Sequence, residues 1–172
     1  MELKQSQDIP IPVAQVWSAL NDDQILAQAI PGCQELTKIS DTELTAKVKL
    51  KVGPVSATFV GEVTLSELNP PHSYVISGSG KGGVAGFAKG GAKVHLESIE
   101  GSAVTVMTYQ VTASVGGKLA QVGSRLVTGA AKKLANDFFK RFVRTLSGDA
   151  SMEVEIENLV VDKGVPDQQV NE

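Results

Sequence analysis

The chain has 172 residues, 42% of them hydrophobic and 20% charged, enough for one domain with a sizeable core and too apolar for wholesale disorder. Sixteen basic against nineteen acidic residues give a formal charge of −3, which excludes a general nucleic-acid binder. The one cysteine, Cys33, excludes an internal disulfide, and two histidines leave few ligands for a structural zinc. Neither a signal-peptide pattern at Met1–Gln5 nor an apolar run near the ~20 residues of a membrane span is present. The expectation is a soluble, cytoplasmic protein.

Residues 2–9 read as an opening strand that Pro10 and Pro12 stop. Val13, Val16, Trp17 and Leu20 recur at helical spacing, so a short amphipathic helix runs over 13–20, entered through Pro12. Asp22 and Asp23 start a second short helix, which Pro31 and Gly32 end. Alternation follows: Leu44, Ala46, Val48, Leu50 and Val52 share one strand face, with Lys47, Lys49 and Lys51 on the other. Gly53-Pro54 turns the chain into a second long strand, whose inward set is Val55, Ala57, Phe59, Gly61, Val63 and Leu65. Asn69-Pro70-Pro71 marks the next turn before a strand beginning at Tyr74 and Ile76. Residues 87–100 and 103–115 form a further hairpin around Glu100 and Gly101.

The last element differs. A single helix of 28 residues is predicted from Leu119 to Leu146, about 42 Å long at 1.5 Å per residue. Val122, Leu126, Ala130, Leu134, Phe138, Phe142 and Leu146 form one apolar row; Leu119, Gly123, Val127, Ala131, Ala135, Phe139 and Val143 form its neighbour. The remaining face carries Arg125, Lys132, Lys133, Lys140, Arg141 and Arg144 against one acid, Asp137. A strand, two short helices, a run of antiparallel strands and one long amphipathic helix make an α+β plan, with the helix laid across a strongly twisted sheet.

Charge locates the end of the domain. From Gly148 to Glu172 there are seven acids and one base, a tail at −6 on a body (residues 1–147) at +3. The tail has no aromatic residue and reads as a solvated, mobile extension, although Met152 to Val161 alternates apolar and acidic residues.

Several short pieces, in order, carry a family resemblance: Pro12-Val-Ala-Gln-Val-Trp17 with Leu20; Ile30-Pro31-Gly32-Cys33; Phe59 with Gly61; Asn69-Pro70-Pro71 before Tyr74; the glycine-rich Gly78–Gly86; and Gly116-Gly-Lys-Leu-Ala120 followed by Gly123-Ser-Arg125. Over residues 1 to about 147 the chain resembles the carbon monoxide dehydrogenase G-subunit family of the START-like (SRPBCC, helix-grip) superfamily. The resemblance implies a cavity between sheet and long helix, and a link to molybdenum hydroxylases such as carbon monoxide dehydrogenase and to their recruitment to the inner face of the membrane. A quinone is the implied lipophile. Some relatives carry long C-terminal extensions proposed to reach the membrane; the short, acidic tail here does not suit that use.

Catalytic chemistry is thin. Gly78-Ser-Gly80-Lys-Gly-Gly83 fits G-x-G-x-x-G, but strand rather than helix follows it, and Lys81 is followed by Gly82 rather than Ser or Thr, so neither a dinucleotide nor a Walker loop is expected. The preferred reading is a cavity rim at Gly80, Gly83 and Gly86, whose missing side chains leave room for a bulky ligand. Gly116-Gly117-Lys118 reads as a turn before the long helix. His72 falls in a turn, His95 in a strand, and Cys33 reads as a small buried residue without a base beside it. No His, Cys and carboxylate spacing makes a metal site, so neither a metal nor a covalent cofactor is expected.

Phe59, Phe87, Met107, Tyr109, Leu126, Ala130, Leu134 and Phe138 are the candidate ligand-binding residues. Periodicity does not separate a cavity wall from a packed core; the resemblance favours the cavity. The expected function is a non-catalytic accessory protein that binds a lipophilic small molecule and serves a molybdenum-hydroxylase-type complex. The basic helix face suits peripheral contact with anionic membrane or an acidic partner protein, and equally well an ordinary solvated face. The rivals are a cyclase- or hydrolase-like enzyme using His95, Tyr109 or Glu97, and an assembly factor without a ligand.

Overall fold

The computed structural model describes residues 1–148; the acidic stretch from Asp149 onward, including the alternating Met152–Val161 segment, lies outside the described residues. Seven strands form one antiparallel sheet in the order β1-β7-β6-β5-β4-β3-β2. They are β1 (Glu2–Ile9), β2 (Cys33–Ser40), β3 (Glu43–Val52), β4 (Val55–Asn69), β5 (Ser73–Lys81), β6 (Phe87–Ser98) and β7 (Thr105–Gly116). Helices α1 (Val13–Leu20) and α2 (Asp23–Ala29) follow β1, and α3 (Lys118–Gln121) and α4 (Ser124–Ser147) follow β7.

Local chemistry explains the boundaries. The Asp22 carboxylate accepts hydrogen bonds from the backbone N–H groups of Gln24 (2.9 Å) and Ile25 (3.3 Å), capping α2. At the far end of α4, Gly148 adopts a left-handed φ of 64° and its N–H returns to the Arg144 carbonyl at 2.7 Å.

Two elements depart from the sequence reading. Strand β2 is absent from that reading, because its burial follows no period of two: only Cys33 and Leu36 are even half-buried along it. It is an edge strand, paired on one side with β3 through two register shifts, so hydrophobic alternation is not required of it. The single helix expected over 119–146 is two helices. Gly123 sits at φ 96°, ψ 152°, a conformation no helix contains, and it separates α3 from α4.

The core gathers on one face of the sheet. Ile9, Ile11, Val16, Leu20, Tyr74, Val94, Leu96, Met107 and Tyr109 pack with Phe139, Phe142 and Val143 of α4. Trp17 meets Tyr74 edge-on at 5.3 Å, and Tyr109 lies at 5.5 Å from Phe139. Burial pushes the Tyr74 and Tyr109 hydroxyls up from the ordinary tyrosine pKa. The unfolded chain therefore loses these protons first, and folding stability is full below about pH 10 and falls above it. A spectrophotometric titration should show two cooperative tyrosine ionisations coinciding with loss of near-ultraviolet circular dichroism. Ionisation of both at the ordinary pKa with the fold intact would contradict their burial.

Candidate functional site

The register of the sheet places its smallest residues together. On the face that bears α4, one cross-strand row reads Ala46–Gly61–Gly80–Ala88–Val115, and the next reads Leu44–Val63–Gly78–Gly90–Ala113. A third row, Leu65–Ile76–Ala92–Val111, returns to larger side chains. The middle of the sheet therefore presents nearly bare backbone where a sheet-on-helix core normally presents branched side chains.

The long helix does not fill the gap. The closest backbone approaches of α4 are to α2, β1 and β3, at the margins of the sheet rather than over its glycine rows. Its apolar stripe is continuous in sequence, yet only Phe139, Phe142 and Val143 are buried, all in the C-terminal half. In the N-terminal half Leu126 is 47% exposed, and Val127, Ala130, Ala131 and Leu134 are half-buried.

Two apolar cavities result. The larger, about 430 Å³, has the glycine and alanine rows as its floor, Val48, Leu50 and Phe59 at one end, and Leu134 and Ile30 above. The smaller, about 260 Å³, runs between α2 and the sheet, against Leu20, Leu26, Leu36, Tyr74, Met107 and Phe138. Ile30, Val63 and Ile76 line both. The larger falls within the size range of spaces that hold small organic ligands, and the smaller lies just below it. Polar groups are few: Asn21, Lys38 and Asp41 on the smaller cavity, and Glu62, Ser79, Lys89 and Thr112 among the residues of the larger. The Lys38 ammonium donates to the Asn21 carbonyl at 3.4 Å.

The candidate ligand residues fall in several places. Phe59 and Leu134 line the larger cavity, and Met107 and Phe138 the smaller. Met107, 5% exposed, also belongs to the main core, so Met107→Asp would bury a carboxylate within it; Leu134→Asp is the variant that tests the cavity without that cost. Tyr109 faces the helix side of the sheet, where its hydroxyl donates to Gln5 Oε1 at 2.7 Å. Ala130 is half-buried on α4. Phe87 is 49% exposed beyond the end of the floor, with its ring over Gly116. Leu126 reaches over the Gly53 turn.

The glycine-rich segment divides. Gly80 lies in β5 within the floor of the larger cavity, whereas Gly83 (φ 64°) and Gly86 (φ 110°) shape the turn between β5 and β6. No helix of phosphate-binding length follows that turn, only β6 after the three-residue 3-10 turn Gly83–Ala85. Gly116 and Gly117 allow close approach: a Cβ on Gly117 would meet Gly86 Cα at 2.7 Å. They make a turn. Sequence reasoning missed Gly78 and Gly90 as floor residues, although the alternation of glycine and alanine through Gly78, Gly80, Ala88, Gly90 and Ala92 carried the signal.

Among the described residues, two of the three named for an enzyme, His95 and Glu97, lie away from the cavities. His95 and Glu97 are exposed and alternate with buried Val94 and Leu96, so they point to the opposite face of the sheet. Burial raises the pKa of the half-buried Cys33 thiol, the reverse of what activates a nucleophile. Among the described residues no group of three or more His, Cys, Asp or Glu could hold a metal, and no helix is long and apolar enough to cross a membrane.

Known proteins share this architecture. A conserved protein from Geobacillus kaustophilus is 30% identical, with a TM-score of 0.81 over 86% of this chain and 96% of its own. A protein from Thermus thermophilus (10% identity, TM-score 0.64, 86% of this chain and 98% of its own) shares the fold. So does the Zhui aromatase/cyclase from Streptomyces sp. R1128 (10%, 0.59, 86% and 93%). These likenesses make the fold helix-grip, START-like α+β. Comparison with curated proteins found no match. The family model for the G-subunit of carbon monoxide dehydrogenase (CoxG) matches residues 6–147, and the chain belongs to that family.

Proposed function

We propose that this CoxG-family protein is a non-catalytic accessory protein that binds a quinone or similar lipophile between the sheet and α4. It presents that molecule to a molybdenum-hydroxylase or carbon monoxide dehydrogenase-type complex at the membrane. The observation that carries the reading is the bare glycine and alanine floor facing the unburied half of an apolar helix. A flat ring can lie against exposed backbone at van der Waals distance, and an isoprenoid chain can follow Ile30, Val63 and Ile76 into the smaller cavity. Each 100 Å² of apolar ligand surface buried contributes about 2.5 kcal/mol before the costs of association, so affinity needs no strong polar contact.

The protein carries its own probe. Trp17 is the one tryptophan of the chain, and its ring packs on Tyr74, a wall of the smaller cavity. Titration with a short-chain quinone should quench Trp17 emission saturably at one quinone per chain, and Leu134→Asp should remove the saturable phase. Linear, collisional quenching in the wild-type protein would refute the carrier and leave an assembly factor with empty apolar space.

A further inference from the structure

Three turns that are far apart in sequence meet at one end of the sheet. A second, smaller apolar cluster joins them: Phe59, Ala85 of the β5–β6 turn and Leu119 of α3, packed with Leu50, Val52, Val55 and Ala57 of the β3–β4 hairpin. The start of α4 reaches the same place, with Leu126 against Gly53.

The composition of this end is one-sided. Residues 48–61, 79–88 and 114–131 contain five bases (Lys49, Lys51, Lys81, Lys118 and Arg125) and no acid, with Glu2 and Glu62 at the border of this end. All five bases are exposed. Between them stand large apolar side chains in solvent: Val84 at 84% exposure, Val60 at 57%, Phe87 at 49% and Leu126 at 47%. The opposite end also exposes apolar residues, Ile39, Leu68 and Ile99, but these stand among Asp41, Glu43, Glu67, Glu97 and Glu100, with Lys38 beside Ile39. Charge, not apolar exposure, distinguishes the two ends.

We propose that the end built from the β3–β4 hairpin, the β5–β6 turn and α3 docks on an anionic lipid bilayer, with Val84 and Phe87 entering the headgroup boundary. A cationic rim around a few protruding apolar side chains is the chemistry that an anionic interface selects: Coulomb attraction concentrates the protein there, and apolar insertion holds its orientation. This moves the membrane contact from the flank of α4, where the sequence suggested it. On that flank Lys133 is paired with Asp137 at 2.7 Å, and Lys140 and Arg144 also have partners. Phe59 belongs both to the cluster beneath the docking end and to the wall of the larger cavity. A lipophile can thus pass between bilayer and cavity past Phe59 without crossing open water, a consequence that rests on the carrier reading.

Flotation of the full chain with phosphatidylcholine vesicles, with and without phosphatidylglycerol, tests the docking directly. Binding should require phosphatidylglycerol and weaken as salt rises. Val84→Asp, and separately Lys81→Gln with Lys118→Gln, should weaken it by about tenfold or more, while Ile39→Asp should leave it unchanged. An environment-sensitive dye on Val84→Cys, in a Cys33→Ser background, should shift to the blue on the anionic vesicles. Absence of wild-type flotation overturns the proposal. So does loss of binding in Lys133→Gln with Arg141→Gln but not in the Val84 and Lys81/Lys118 variants, or flotation without a dye shift. Quinone quenching of Trp17 in vesicle-free solution reads the carrier function separately, so failure of one is not failure of the other.

Discussion

Gly80→Leu should weaken saturable quinone uptake by at least about tenfold while the protein keeps its fold and its resistance to denaturant. Gly80 sits in the middle of the cavity floor, between Gly61 and Ala88 across the strands. A Cβ there would have no neighbour nearer than 3.7 Å, so a side chain can grow into the cavity without moving the sheet. Its neighbours do not offer this: a Cβ on Gly61 would meet the Ser79 carbonyl oxygen at 2.6 Å, and one on Gly90 the Thr112 oxygen at 2.2 Å. Replacing glycine in a strand interior also lowers the entropy of the unfolded chain, which offsets strain elsewhere. The leucine would occupy the space above the floor that the proposed ligand needs, and an overfilled site costs typically 1–3 kcal/mol. Isothermal calorimetry with a short-chain quinone, beside urea unfolding, separates the two effects. Undiminished uptake in a folded Gly80→Leu protein would move the ligand off the floor.

Phe142→Ala should have the opposite profile, lowering stability by about 3–5 kcal/mol. Phe142 is 0% exposed, stacks on Phe138 at 5.4 Å and lies in the cluster formed by β1, α1 and the sheet centre. Removing the ring leaves a cavity that close-packed neighbours cannot close. Against a total of about 5–15 kcal/mol for a domain of this kind, that is a large share. Leu134 stands two helical turns earlier in the same row, yet it is half-buried and faces the larger cavity. Leu134→Ala should therefore cost far less on folding, and a urea midpoint lowered as much as by Phe142→Ala would show the N-terminal half of α4 to be packed rather than open.

That contrast shows where sequence reasoning stops. Leu126, Ala130, Leu134, Phe138 and Phe142 form one uninterrupted apolar row, and periodicity states only that one side of the helix avoids water. Whether that side meets protein or empty space depends on the residues across from it, which come from strands β3 to β7. The cross-strand register, not the spacing within any strand, assembles Gly61, Gly78, Gly80 and Gly90 into one patch. Tyr109 and Met107 belong to the same alternating strand face as Val111 and Ala113. Their burial differs because the C-terminal half of α4 presses on the first two.

Local rules carried much of the fold. Alternation over residues 44–65 located β3 and β4, Pro12 and Asp22 located the starts of α1 and α2, and the placement of His95 between Val94 and Leu96 already put it in a strand. These are short-range effects, decided by backbone geometry and by which side chains leave water, so the amino-acid order suffices. The edge strand β2, the break at Gly123, the glycine floor and the meeting of three basic turns at one end needed the tertiary structure. Each of them depends on which distant segments become neighbours, and a chain read one residue at a time carries no distances between its turns.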